Sequence, residues 1–133
     1  MLVDALAAFE KLTPPTGASR ERLIEDIFGP KPRIGAWLAE LEGQPVAYAL
    51  VYDSYSSFLA RPKLYLEDIF VLPEFRGRKV GYALFAEMME EARRRGCARL
   101  EWTVLDWNQD AIDFYERLGA KRKQQWFLYQ LEI

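Results

Sequence analysis

The chain has 133 residues, half of them apolar, with a formal net charge of −2 and no histidine. That length suits one domain built on a single core, and the slightly acidic balance argues against a nucleic-acid partner while leaving room for a cationic one. The lack of histidine removes Ser/His/Asp and Cys/His chemistry, so any proton transfer falls to carboxylates, tyrosine, lysine or water.

The opening residues carry neither the basic segment nor the small-residue cleavage site of a signal peptide, and no apolar run approaches the roughly 20 residues of a membrane span. The single cysteine, Cys97, permits no internal disulfide, and no metal-ligand cluster is present. A cytoplasmic protein without metal, membrane or nucleic-acid partners is expected.

Leu2, Val3, Leu6, Phe9 and Leu12 recur at helical spacing until Pro14-Pro15 stops them. Ser19 is placed as the cap of a second helix, Arg20 to Phe28, closed by Gly29-Pro30. Strand-like patterns then run from Ile34 to Leu41 and from Val46 to Tyr52 about a turn at Glu42-Gly43-Gln44. Tyr55 to Pro62 reads as a polar and aromatic loop, and Leu64 to Leu72 as a third strand.

Arg76 to Gly81 forms a basic, glycine-bearing turn that opens into a helix whose apolar arc holds Val80, Leu84, Phe85, Met88, Met89 and Ala92. Backbone amides at such a helix start, with the positive end of the dipole behind them, form an anion site. The wording fits neither a Walker A loop nor a dinucleotide fingerprint. Leu100, Trp102 and Val104 predict a fourth strand parallel to the third. Asn108 begins a short helix with Ala111, Ile112, Tyr115 and Leu118, and Ala120 to Ile133 is expected to return as a hairpin. A single domain over 1–133, with a mixed, mostly antiparallel α/β sheet, follows.

Val71-Leu72-Pro73 followed by Arg76-Gly77-Arg78-Lys79-Val80-Gly81 resembles the pyrophosphate loop of the GNAT acetyltransferases, Gln/Arg-x-x-Gly-x-Gly/Ala. Lys79 stands where the pattern has its first glycine, a change that the loop tolerates if that residue needs no positive φ. Leu66-Glu67-Asp68, Trp107-Asn108 and Asp113 to Ala120 extend the resemblance, which is nearest the diamine (spermidine/spermine, thialysine) branch. It implies transfer of acetyl from acetyl-CoA to a primary amine of a small molecule by direct attack on the thioester. A catalytically silent CoA-binding module, or acetylation of a protein lysine or N-terminus, stands as the alternative.

The same resemblance implies roles for individual residues. Tyr115 would be the general acid beside the thioester sulfur, and Glu67 the group that accepts the amine's proton through water. Glu67 is placed on a strand face with Tyr65, Ile69 and Val71, and Asp68 on the other face unless a bulge re-aims it. The strand edge at Ile69, Phe70 and Val71 would pair with the cofactor's pantetheine arm. Arg76, Gly77, Arg78, Lys79, Val80, Gly81 and Tyr82 would hold its pyrophosphate, and Asn108 either bonds the cofactor or only caps its helix. Tyr55, Ser56, Glu67, Asp68 and Trp126 would bind the amine. Family members begin with a strand that nothing before Ile34 resembles, which leaves Ile34 to Leu41 as a sheet edge, and a homodimer is expected.

Overall fold

The computed structural model describes residues 1–133. They form two compact units, Met1–Trp102 and Thr103–Ile133.

The first unit opens with helices α1 (Leu2–Glu10) and α2 (Gly17–Phe28). Lys11 ends α1 in the left-handed region (φ 59°), its amide bonded to Ala8, and Arg20 reaches back from α2 to Asp4. The second helix starts at Gly17, three residues before the expected Arg20, so its cap is Thr16 and not Ser19. Thr16 is the extended residue before it, and its carbonyl accepts the Ser19 amide at 3.1 Å. No strand lies within residues 1–34.

Four strands follow, β1 (Gly35–Leu41), β2 (Gln44–Ser56), β3 (Arg61–Val71) and β4 (Leu100–Glu101), in the spatial order β1-β2-β3-β4. β1, β2 and β3 are antiparallel, and β3 and β4 are parallel. Glu42 and Gly43 both take positive φ (51° and 78°), as a two-residue hairpin turn requires. The expected loop over Tyr55 to Pro62 is instead paired backbone. Tyr55 is in register with Pro62 and Ser56 with Arg61, so the turn shrinks to residues 57–60. Pro62 is compatible with a strand here because it sits at the strand's beginning.

Alternation divides β2 between two cores. Tyr48 and Leu50, with Phe70 of β3, pack under Leu2, Leu6 and Phe9 of α1 and Leu23 and Ile27 of α2. Ala47, Ala49 and Val51 face the other way with Leu64 and Leu66, on the side of the helix α3 (Val80–Arg94). That helix buries Val80, Leu84, Phe85, Met88 and Ala92. Met89, grouped with them by spacing, is exposed.

The fourth strand is shorter than its alternating pattern suggests. Its ladder consists of Leu64 with Leu100 and Tyr65 with Glu101, reinforced by a Lys63–Glu101 ion pair at 2.7 Å. From Leu66 to Val71, the edge of β3 away from β2 is therefore unpaired.

The second unit holds one helix, α4 (Gln109–Arg117), capped at its start by Asn108, whose side chain accepts the Ala111 amide at 3.3 Å. Gly119, at φ 88°, turns the chain out of it. No strand forms in residues 120–133, so the expected hairpin is absent. Lys121 to Gln125 supplies no apolar alternation, and two isolated short strands are marginal in water. Trp126, Phe127, Leu128, Tyr129, Leu131 and Ile133 are exposed.

Candidate active site

The β2–β3 ladder changes register between Leu50 and Val51. Leu50 pairs with Asp68 and Val51 with Leu66, so Glu67 is the extra residue of a β-bulge. Strict alternation would have put Leu64, Leu66, Asp68 and Phe70 on one face. With the bulge, Leu64 and Leu66 go to the α3 side while Asp68 and Phe70 go to the α1 side. The expected grouping of Glu67 and Tyr65 with Ile69 and Val71 is thereby corrected. Tyr65 pairs with Tyr52 and Asp68 with Leu50, positions of equal parity in β2, so the face of Tyr65 continues through Asp68.

Around the bulge the structure gathers three carboxylates and three phenols from three elements, α1, β2 and β3. Tyr48 donates to Asp68 Oδ2 at 2.9 Å, and the Tyr52 and Tyr65 rings lie 5.2 Å apart. Burial raises the Asp68 pKa, and the Tyr48 hydrogen bond opposes that rise. Glu67 is also raised, by burial and then by the Asp68 charge. Glu10, at the end of α1, is raised for the same two reasons. Tyr52 is pushed up by burial, then by Glu67 and Tyr65. Carboxylates crowded onto one partly dry face hold protons more readily than in water, which suits a base for an ammonium and a cradle for a cation.

Sequence reading found Glu67 and Asp68 but missed Glu10, Tyr48, Tyr52 and Tyr65. Glu10 ends an ordinary amphipathic helix, and its link to Asp68 exists only once α1 lies over the sheet. Conversely, Tyr55 and Ser56 lie well along β2 from the bulge. Four residues separate Tyr55 from Val51, which is about 13 Å of strand.

At the far end of β3, a 3₁₀ turn at Pro73–Phe75 leads into α3. Arg76 donates from Nε to the Val71 carbonyl at 3.1 Å, and its guanidinium lies over Phe9 (5.0 Å) and Phe70 (5.4 Å). This arginine fastens the turn to α1 and the sheet. Arg78 covers the Phe75 ring at 5.4 Å. Gly77 has φ 79°, and Lys79, the residue before α3, has φ 63°. The condition under which lysine would be costless at position 79 is not met, and the loop carries a strained non-glycine residue. The amides of residues 77–81 find no acceptor within the chain and remain available to an anion.

These features fit the group that the sequence suggested. Free amides ahead of α3 suit a pyrophosphate, and the unpaired β3 edge suits an amide-bearing arm. In the second unit, Tyr115 is half-buried in the last turn of α4, its ring centroid 6.0 Å from that of Phe114. The Asn108 side chain is engaged as helix cap, and Trp126 is exposed.

Residues 4–120 match the sequence model of the acetyltransferase (GNAT) family. The bovine (Bos taurus) thialysine N-epsilon-acetyltransferase is 38% identical, over 98% of this chain and 83% of its own length. Among solved structures, a probable acetyltransferase superposes with TM-score 0.83 at 23% identity, covering 99% of this chain and 87% of that one. An aminoglycoside N-acetyltransferase in complex with CoA gives TM-score 0.70 at 22% identity, covering 86% and 88%.

Proposed function

This chain belongs to the acetyltransferase (GNAT) family and is an N-acetyltransferase, and from that premise we propose acetyl-CoA as donor and the primary amine of a small cationic molecule, thialysine or a relative of it, as acceptor. The observation that carries this reading is the β3 bulge. It aims Asp68 onto the face of Tyr48 and Tyr65, leaves Glu67 beside Asp68, and lies next to an unpaired strand edge.

Acetyl-CoA supplies an activated thioester. The amides from Gly77 to Tyr82 hold its pyrophosphate, with Arg78 and Lys79 adding charge, and the edge at Ile69, Phe70 and Val71 aligns its amide arm. Glu10 and Asp68 attract the cationic acceptor, and the phenols of Tyr52 and Tyr65 wall its path. Glu67 takes the proton that the ammonium must lose before its lone pair can attack, and its raised pKa brings it nearer the working pH. Tyr115 keeps the role of proton donor to the departing thiolate. One catalytic domain spans residues 1–133, working in the cytoplasm as a homodimer. The exposed Trp126, Phe127, Leu128, Tyr129, Leu131 and Ile133 and the unpaired edge of β1 support self-association.

Thiol release from acetyl-CoA, measured against polyamines, thialysine, lysine and free amino acids, tests the reading. Turnover with small amines is expected. No turnover with any of them, together with tight CoA binding, would mark a silent module.

A further inference from the structure

Gly35, the first residue of β1, pairs with Val51, so Tyr52–Ser56 of β2 run on with no partner on that side. Beside this step lies a cavity of about 680 Å³ that is broadly open to solvent. The end of α2 and the loop that joins it to β1 complete its walls, and its charged lining residues are Asp26, Arg33, Asp53 and Arg95.

Two of those four charges satisfy each other. Arg95 bonds Asp53 at 2.9 Å and Glu91 at 2.8 Å, and its guanidinium covers Trp37 at 5.9 Å. The side chains of Asp26 and Arg33 make no ion pair or hydrogen bond. Their backbones are nonetheless fixed together, since the Asp26 carbonyl accepts the amides of Arg33 (2.8 Å) and Ile34 (3.3 Å). The cavity thus presents one uncommitted half-buried carboxylate and one uncommitted exposed guanidinium, on residues whose backbones are bonded to each other. Tyr52 lines the same cavity and its ring lies 5.2 Å from that of Tyr65, its partner across the β2–β3 ladder, so one phenol borders both this space and the proposed amine site.

We propose that the cavity is a subsite for the zwitterionic head of the acceptor. Arg33 takes an α-carboxylate, Asp26 takes the α-ammonium, and a second, distal amine passes Tyr52 to reach Glu67. The acceptor class is then a diamino acid. A simple diamine leaves Arg33 facing a like charge, which selects against it. This inference rests on the function proposed above and adds the residue that discriminates among its substrates.

The test uses two acceptors that differ only by the carboxylate, thialysine and bis(2-aminoethyl) sulfide, with the full chain and its Arg33→Gln and Arg33→Lys variants. Arg33→Gln is expected to raise the KM for thialysine about tenfold with kcat little changed, while the diamine's KM stays the same or falls, and Arg33→Lys should recover part of the loss. Equal effects on both acceptors, or none, would overturn the subsite while leaving the transferase reading in place. If neither acceptor turns over, that reading fails first, and the subsite is judged by thialysine titration followed in tryptophan fluorescence. Weaker binding by Arg33→Gln would support it, and unchanged affinity would overturn it. Tighter binding of an end-blocked lysine peptide than of thialysine would also overturn it, assigning the open β2 edge to a protein acceptor.

Discussion

Tyr48 of β2 and Asp68 of β3 are joined by a 2.9 Å hydrogen bond directly beneath α1, in the same cluster as the buried rings and leucines of the core. The phenol is the polar partner that makes a carboxylate tolerable there, and burial together with Asp68 pushes the Tyr48 pKa upward, keeping it a donor. Tyr48→Phe should therefore destabilise the fold by about 1–3 kcal/mol, because Asp68 loses its donor and stays half-buried. Tyr48→Phe combined with Asp68→Asn should recover most of that loss. A denaturant titration in which the double variant is no more stable than the single one would contradict the pairing.

Stability should also fall as pH rises from about 4 towards 7. Glu10, Glu67 and Asp68 all have raised pKa values, so each binds its proton more tightly in the folded chain than in the unfolded one. Their contribution is full below the ordinary carboxylate range and is lost as pH climbs through the raised values. Glu91 has the opposite sign. Its hydrogen bonds from Arg95 and Arg94 lower its pKa, so its contribution is lost only on acidification. Urea midpoints should decline over that interval and do so less steeply in Asp68→Asn. A midpoint that climbs with pH would refute the assignment.

Lys79 offers a cleaner test of backbone strain. A non-glycine residue in the left-handed region costs about 1–2 kcal/mol, partly offset in a glycine variant by the entropy of its unfolded chain. Lys79→Gly should accordingly be neutral or stabilising by up to about 1 kcal/mol. Gly81→Val should leave the fold intact and weaken CoA binding, because it adds a branched side chain where phosphate and helix start would meet. Calorimetry that finds wild-type affinity in Gly81→Val would remove the anion site from the first turn of α3.

The division between legible and illegible features follows sequence distance. The turn at Glu42-Gly43, the buried arc of α3 and the Asn108 cap depend on residues close together in the chain, and their spacing sufficed to locate them. The bulge at Glu67 does not, because Leu64, Leu66, Asp68 and Phe70 alternate as an unbroken strand would. Only the positions of Val51 and Tyr48 across the ladder, three apart where their partners Leu66 and Phe70 are four apart, reveal the extra residue. Glu10 was invisible for the same reason, since it meets Asp68 only through the tertiary fold. The hairpin from Tyr55 to Pro62 reads as a loop because Ser56 and Ser57 mimic turn composition, whereas cross-strand pairing decides its structure.

The proton-transfer roles make distinct kinetic predictions. Tyr115→Phe removes the phenolic proton while keeping the ring, so kcat should fall by roughly 10²–10⁴-fold with the KM for acetyl-CoA nearly unchanged. Wild-type turnover in this variant would return Tyr115 to a packing role.

Glu67→Gln should show a rate deficit that shrinks as pH rises. At neutral pH an alkyl ammonium is almost wholly protonated, so a base is needed to deliver the free amine. As pH approaches the amine's own pKa, a growing fraction of acceptor arrives already deprotonated, and the glutamine variant should converge on wild type in kcat/KM. Asp68→Asn should behave differently. Asp68 is bonded to Tyr48 and acts here by attracting a cation, so its loss should raise the acceptor KM by a factor that stays flat as long as the acceptor is almost wholly protonated, over the pH interval below the amine's own pKa in which the Glu67→Gln deficit is already shrinking. Profiles of kcat/KM against pH for both variants separate the roles, and a deficit in Glu67→Gln that does not change with pH would count against Glu67 as the base.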